Sequence, residues 1–490
     1  MTLIRRLMKN SLIYAIGGAL QKLAGFLLIP LYTHVLAVES YGVMEVLTTL
    51  TSSAFVLATL GLPSAFNKCY HRDCRDAEDQ RTLVGTTMVL LTAVALATVV
   101  VGLLAPGLLA RGLLGSGESR SLVTLSLVSA AAYAVAQLPL MLLRARESSV
   151  SYVTLSFFQF LAMLGLNVWL VGRLHLGVKG VLLGSIGASG VTFLASLPFL
   201  ARHASLRFSP RLTRALLMFG LPMVPVAVSG WVMDMSDRWL LQLLDSPREV
   251  GLYGLGYRYG MLVEQVLVMP FQMAWSAFYF REASRPDARE IYARVFTWFV
   301  VVGGWVTLSV ALGGEIALRA MAERSYWTGA SVIPVVALAY FLNGLVYCVA
   351  PGVHLGRKTH LLPVLTGAGA LSNVALNFWW IPRYGRMGAA AATLFSFGIL
   401  FALTAVLSRR AYGFRFEAGR IGKALLLLGA FAAIGLVLPS ESFPELFLFR
   451  GAVLLVSAVW VGAWCLRDLG VKWVWSREPG QAWLRWVRPE

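Results

Sequence analysis

The chain has 490 residues, 58% hydrophobic and only 13% charged, with a mean hydropathy of +0.71; a soluble protein carries roughly a quarter of its residues as charges, so the composition specifies a polytopic membrane protein. A spanning helix takes about 20 apolar residues, so about fourteen of them leave on the order of 14 residues for each tail and connection, and no soluble catalytic domain fits. The net charge of +18 would suggest nucleic acid in a soluble chain, but here it first has to be sorted by membrane side, and no nucleic-acid partner is expected.

Arg5, Arg6 and Lys9 precede an apolar stretch from Leu12 to Leu36. It is too long for a signal-peptide core and lacks a small-residue cleavage signal, so an uncleaved first span is expected. Apolar runs between charged or Gly/Pro/Asn punctuation predict fourteen helices, the first seven at 10–36, 42–66, 82–109, 121–143, 150–172, 177–200 and 215–244. The remaining seven are expected at 249–278, 293–313, 328–353, 360–381, 386–408, 421–438 and 446–466. With the N-terminus in the cytoplasm, 29 of the 42 Lys and Arg fall in cytoplasmic segments, 10 in external ones, and Lys22, Arg238 and Arg258 inside spans. That asymmetry predicts cytoplasmic N- and C-termini. The tail at 471–490, with Lys472, Arg477, Arg485, Arg488 and four tryptophans, reads either as an interfacial segment on anionic lipid or as a plain basic tail. Cys69 and Cys74 with His71 between them lack a fourth ligand and zinc spacing, so no metal is expected there.

An internal repeat organises the chain. Leu166, Asn167, Trp169 and Arg173 in the fifth span recur as Leu376, Asn377, Trp379 and Arg383 in the eleventh, each shifted by 210. Glu39 and Glu249 share that shift, Gly177 and Gly180 match Gly385 and Gly388 at 208, and Pro139 with Arg144 resembles Pro351 with Arg357 at 212 and 213. The repeated unit is six spans. An even-numbered unit re-enters the membrane in the same orientation, so its two copies are expected to be related by a pseudo-twofold axis along the membrane normal. The expected fold is therefore all-α integral membrane, with a six-helix lobe at 1–206, a second at 207–416, two further helices at 417–470 and the tail at 471–490.

Charges inside spans are expensive, about 2.5 to 3.5 kcal/mol each at mid-helix, and so mark functional candidates. Lys22 is central in the first span, and Arg258 is central in the eighth between Tyr257 and Tyr259. The two cations are candidates for one anionic ligand. The seventh span carries Asp234, Asp237 and Arg238; Asp234 and Arg238 are four apart and can pair along one helical face. Asp237, Asp234 and Glu264 are the candidates for a coupling ion. Glu45, close to one end of the second span, is more weakly placed. Pro222 and Pro225 interrupt the start of the seventh span, and Gly251, Gly254, Gly256 and Gly260 thin the eighth for close packing or flexing. Trp231, Tyr253, Tyr257 and Trp275 are candidates for stacking on sugar rings, with interface anchoring as the other reading for Trp275.

These residues carry a resemblance. The segment Phe219 to Tyr257, with Gly220-Leu221-Pro222, Ser229-Gly230-Trp231, Asp237-Arg238 and Val250-Gly251-Leu252-Tyr253, resembles the seventh and eighth helices of bacterial polysaccharide-biosynthesis flippases. So do Gly25 to Pro30 with Tyr41-Gly42, Gly61-Leu62-Pro63-Ser64, and Pro270-Phe271-Gln272 with Trp275. These are the Wzx-type members of the multidrug/oligosaccharidyl-lipid/polysaccharide exporter superfamily, and the resemblance covers roughly residues 10 to 430. It implies transfer of an undecaprenyl-diphosphate-linked oligosaccharide from the inner to the outer leaflet of the bacterial cytoplasmic membrane by alternating access. It also implies a cationic central cavity that takes the diphosphate and glycan. Carried over by position, Lys22 and Arg258 would hold the diphosphate, with Arg238 beside them unless Asp234 occupies it. Spans thirteen and fourteen would help form a lipid groove. Polysaccharide polymerase and glycosyltransferase partners follow from the same resemblance, and a monomer is expected because each chain contains both lobes.

No cofactor is expected, and without a G-x-x-x-x-G-K-[ST] loop direct ATP use is disfavoured. The nearest rival is a cation-coupled multidrug antiporter of the same superfamily, which needs carboxylates where the first helix here presents Lys22. A membrane enzyme acting on lipid-linked sugars usually needs a large external loop, and every expected external loop is short. A non-transporting scaffold is the remaining alternative.

Overall fold

Within lipid, backbone N–H and C=O groups have to be satisfied inside their own segment, which leaves helices as the spanning element for this composition. The computed structural model describes residues 24–115, 119–205, 207–413, 416–437 and 443–468, and among them there are helices and turns but no strand. Lys22 and the tail at 471–490 lie outside the described residues. In chain order the helices are α1 (Ala24–Val35), α2 (Val38–Ala58), α3 (Leu62–Arg72), α4 (Ala77–Leu104), α5 (Pro106–Leu114), α6 (Arg120–Ala145), α7 (Ser149–Asn167), α8 (Gly177–His203) and α9 (Pro210–Gly220). They continue as α10 (Val224–Leu244), α11 (Pro247–Gly260), α12 (Met269–Glu282), α13 (Ala288–Trp298), α14 (Gly304–Met321), α15 (Ile333–Leu355), α16 (Leu362–Tyr412), α17 (Ala418–Val437) and α18 (Phe443–Asp468).

Eleven helical stretches among the described residues are long and apolar enough to cross a membrane. One of them, Thr359–Tyr412, joins the expected eleventh and twelfth spans across a break at Gly385, where φ is +52°. Pro222 sits in the 3-10 turn Leu221–Met223 that separates α9 from α10. Hydroxyls inside the spans donate to carbonyls one turn earlier, as Thr33 to Ile29 (2.9 Å), Thr87 to Leu83 (2.8 Å) and Thr192 to Ala188 (2.7 Å), which satisfies them within an apolar helix. Asp76 and Ser209 cap α4 and α9 by accepting from Asp79 and Leu212 N–H.

Packing gathers the chain into two compact units. The first contains the described residues up to Arg258, Met321–Val332 and His360–Leu400. In it α6 lies against α4, α8 and α2, α7 against α8, α10 against α2, and α9 against α3. One of its apolar clusters includes Leu62, Phe66, Leu83, Leu138, Leu142 and Leu216. The second unit contains Tyr259–Ala320, Ile333–Thr359 and the described residues from Phe401 on. There Trp275 is buried among Phe271, Phe278, Tyr279 and Tyr292 and donates to the Tyr347 carbonyl at 3.1 Å. It is a core residue, which corrects the expectation that it anchors an interface or stacks on sugar. Leu104, Leu108, Leu426 and Val459 are more than 70% exposed. Faces of this kind aggregate in water and are covered by lipid chains in a bilayer.

The repeat is written into the backbone as well. At the end of α6, N–H groups of Arg146, Glu147 and Ser148 donate to the carbonyls of Leu142, Arg144 and Leu143. At the end of α15, Gly356, Arg357 and Lys358 donate to Gly352, His354 and Val353, each partner displaced by 210. Glu147 and Arg357 occupy the same left-handed conformation, with φ of 54° and 56°. Gly177 and Gly385, aligned by the sequence, both have positive φ, 58° and 52°. Three residues on, Gly180 and Gly388 pack their Cα against the carbonyls of Leu170 and Trp380, again displaced by 210.

Between α2 and α11 the close approach is reciprocal. A side chain on Gly42 would run into the Pro247 carbonyl, and one on Gly251 into the Val38 carbonyl. Gly251→Val is therefore expected to destabilise the protein by about 1–3 kcal/mol through overpacking. Gly165→Ala in α7, where nothing lies within 4 Å, is expected to be neutral or to gain up to about 1 kcal/mol of helix propensity. Thermal unfolding in detergent compares the two, and equal midpoints would contradict the crossing.

Candidate functional site

Three helices of the first unit, α2, α10 and α11, bring four charges together. Gly42 and Glu45 are three apart on α2, and Gly251, Gly254 and Arg258 follow at three and four on α11, so each set shares one helical face. The lack of a side chain at Gly254 makes room for Glu45, whose Cγ lies 2.6 Å from where a Cβ would stand. Glu45, only 2% exposed, uses both oxygens. Its Oε2 accepts from Arg238 Nε at 3.0 Å and its Oε1 from Arg258 Nη2 at 2.6 Å.

Arg238 has a second carboxylate. Asp237 Oδ1 lies 3.5 Å from its Nη1 and accepts from its backbone N–H at 2.9 Å. Asp237 is fully buried, receives the Tyr253 hydroxyl, and lies 3.4 Å from Thr393 Oγ1. Behind Thr393, Asn373 and Asn377 form a buried amide pair, with Asn377 Nδ2 donating to Asn373 Oδ1 at 3.0 Å. The guanidinium of Arg238 rests over the Tyr257 ring at 4.4 Å. Charges taken out of water persist only when paired and hydrogen-bonded, and each of these has its partner. The side chain of Arg258 is 22% exposed against 3% for Arg238, so it is the more accessible cation.

The expected residues are distributed as follows. Arg238, Arg258 and Asp237 meet in one cluster. Arg258 Nη1 donates to the Gly25 carbonyl at 3.4 Å, which sets it against the chain three residues after Lys22, whose own position is outside the described residues. The pairing expected between Asp234 and Arg238 is made through the Asp234 backbone carbonyl, which accepts from Arg238 Nη1 at 3.0 Å. Tyr257 is fully buried beneath Arg238 and in this state presents no face to a sugar. Trp231 is partly exposed and donates to Ser52 Oγ at 3.0 Å. Glu264 belongs to the second unit, where it accepts from Asn343 at 3.1 Å.

The described part of the cluster carries both signs, with Lys22 of the expected cationic centre outside it. Among the described residues two guanidinium groups face two carboxylates, because Glu45 reaches both arginines across helices. Its importance was missed because its partners lie 193 and 213 positions away. The signal available in the sequence was the pairing of Gly42 and Glu45 with Gly251, Gly254 and Arg258 at matching spacings.

Residues 7–276 match the model of a family described as polysaccharide biosynthesis protein. No curated protein matches the sequence significantly. Among solved structures, the fold is similar to that of Lipid II flippase MurJ in an inward closed conformation, with a TM-score of 0.73 and 14% identity over 94% of this chain and 99% of that one. It is similar also to an inward-facing multidrug resistance MATE family transporter of the MOP superfamily (TM-score 0.67, 14% identity, 82% and 95% covered). The MATE multidrug transporter DinF-BH in complex with R6G gives a TM-score of 0.57 at 18% identity, with 84% and 97% covered. At these identities the likeness is one of fold.

Proposed function

The chain belongs to the polysaccharide biosynthesis protein family and has the fold of MOP-superfamily membrane transporters rather than of an enzyme, and on that premise we propose that it flips an undecaprenyl-diphosphate-linked oligosaccharide from the inner to the outer leaflet of the bacterial cytoplasmic membrane. The observation that carries this reading is the pair of arginines, Arg238 of α10 and Arg258 of α11, brought together at Glu45 with Arg258 the more exposed. Guanidinium groups match the paired oxygens of a diphosphate in bidentate fashion. Lys22 would join them from the first span.

The lipid tail stays in the bilayer while the two six-span lobes rock to expose the site to each side in turn. A diphosphate with about two negative charges moves outward down an inside-negative potential, which at about 100 mV supplies about 4.6 kcal/mol. Asp237, Asp234 and Glu264 remain the coupling-ion candidates. Cytoplasmic termini, a monomer, and polymerase and glycosyltransferase partners complete the proposal.

The antiporter reading asks for an acidic drug site. A cavity of about 140 Å³ in the first unit is lined by Tyr133, Gln159, Phe160, Met163, Ser185 and neighbours that include no carboxylate.

Ligand-induced thermal stabilisation tests the proposal. Farnesyl diphosphate at about 100 times its Kd is expected to stabilise the detergent-solubilised protein by about 2.7 kcal/mol, with farnesol and ethidium ineffective. Stabilisation by ethidium and none by the diphosphate would transfer the protein to the antiporter branch.

A further inference from the structure

We infer that Glu45 is a resident anion that latches α2 to α11, and that the anionic group of the cargo replaces it at Arg258; the second half of this inference rests on the anionic-cargo reading above. The crossing of α2 and α11 is symmetric in its backbone. Gly42 faces Pro247 and the Gly251 N–H, while Gly251 faces Val38 and the Gly42 N–H, and a Cβ on either glycine would stand 3.1 Å from the other's backbone nitrogen. Glu39 pairs with Arg248 at 3.0 Å. Glu39 with Arg248, Gly42 with Gly251, and Glu45 with Gly254 are all separated by 209 positions, so the two copies of the repeat meet here as a local twofold pair.

The ion pairs laid on this symmetric crossing are asymmetric. The carboxylate shared at its buried level, Glu45, comes from α2 of the first copy, and the two guanidinium groups it binds come from α10 and α11 of the second. Gly254 leaves the slot through which Glu45 reaches them. Separation of α2 from α11 must break the Glu45–Arg258 bond and the Glu39–Arg248 pair, while the Glu45–Arg238 bond ties α2 to α10.

The arginines differ in what they retain afterwards. Arg238 keeps Asp237, whereas Glu45 is the only carboxylate paired with Arg258 among the described residues. Release of Glu45 therefore leaves one uncompensated cation, and that cation is the accessible one. Tyr41 adds a second pointer. Its ring lies 5.8 Å from the Arg258 guanidinium carbon, it is fully buried, and its hydroxyl has no hydrogen-bond partner among the described residues. A phosphate oxygen arriving at Arg258 would find a guanidinium fork, beside a ring whose buried hydroxyl is unused among the described residues. Exchange of one anion for another keeps Arg258 paired while releasing α2 from its buried bond to α11, so cargo binding and loosening of this end become one event. In the orientation expected from the Lys and Arg distribution, this is the external end.

Accessibility of α2 tests the latch. Val38→Cys places a thiol at a position 3% exposed beneath Gly251, in full-length protein whose four native cysteines are replaced by serine. Reaction with a hydrophilic maleimide is expected to be slow in this parent and about tenfold faster with Glu45→Gln, the change expected when an open state gains a tenfold larger population. Arg258→Gln removes the same bond from its other end and should accelerate labelling likewise, which keeps the test valid should Glu45→Gln fail to fold. Farnesyl diphosphate should accelerate the parent but not the Arg258→Gln protein. Monodisperse Glu45→Gln or Arg258→Gln protein that labels at the parental rate overturns the latch. Farnesyl diphosphate that stabilises the parent thermally without accelerating labelling overturns the exchange. If it neither stabilises nor accelerates, while both variants label faster, the latch stands and the anionic-cargo reading fails.

Discussion

Arg238→Ala is expected to destabilise the protein by about 3–5 kcal/mol, the cost of breaking a buried ion pair from one side. Truncation leaves Asp237 fully buried with hydroxyl and amide donors but no cation, and Glu45 with Arg258 alone. It also removes the guanidinium over the Tyr257 ring. A double replacement, Arg238→Gln with Asp237→Asn, removes both members of one pair and should cost less than the sum of the two single changes. The coupling energy from such a cycle reads the pair directly. Additive single effects in thermal or chemical unfolding would contradict the pairing.

Glu315→Ala should be the most damaging single change in the second unit, again by about 3–5 kcal/mol. Glu315 on α14 pairs with Arg450 of α18 at 2.8 Å and with Arg319 one turn along its own helix. The Arg450 side chain is only 8% exposed, and its other bond among the described residues is to the Leu312 carbonyl at 3.2 Å. Loss of Glu315 leaves two arginines without their shared carboxylate. Arg450→Met leaves Glu315 still paired with Arg319, so it should cost less, about 1–3 kcal/mol. The other end of the same helix pair is held separately. Asp468 on α18 accepts from Trp298 Nε1 at 2.6 Å and pairs with Arg420, while Glu417 accepts from Thr297 at 2.6 Å. The helices beyond the repeat are thus clamped to α13 and α14 at both ends, around a core of Leu308, Leu312, Leu428 and Val453. Unfolding midpoints of the two variants decide the order, and a larger loss in Arg450→Met would refute the account of the triad.

Much of the fold was legible because hydropathy and backbone chemistry act locally. The apolar runs became helices, Pro222 fell in a 3-10 break, and the offset of 210 read from Asn167 and Asn377 reappears in backbone geometry. Glu147 and Arg357 show why part of that repeat was hidden. They share an unusual conformation and hydrogen-bond pattern while differing in side chain, so the geometry persisted where the letters did not.

The site was legible only in its cations and in Asp237. A charge inside an apolar run is conspicuous, which found Arg238, Arg258 and Asp237. Which charges pair across helices depends on azimuth and depth, and neither is written in hydropathy. Glu45 therefore looked peripheral, although it is the carboxylate that joins both arginines. Tyr257 looked like a sugar platform because an aromatic beside an arginine has the same signature whether it faces a ligand or, as here, lies under a guanidinium.

The most direct test of the central claim is flipping of a fluorescent undecaprenyl-diphosphate sugar in proteoliposomes by the unmodified protein, Lys22→Ala and Arg258→Ala at equal reconstitution. The account predicts transport by the unmodified protein, accelerated by a membrane potential of the right sign, and its loss in both variants while they remain folded. Transport by Arg258→Ala at the unmodified rate, or ethidium export without any flipping by the unmodified protein, would contradict it.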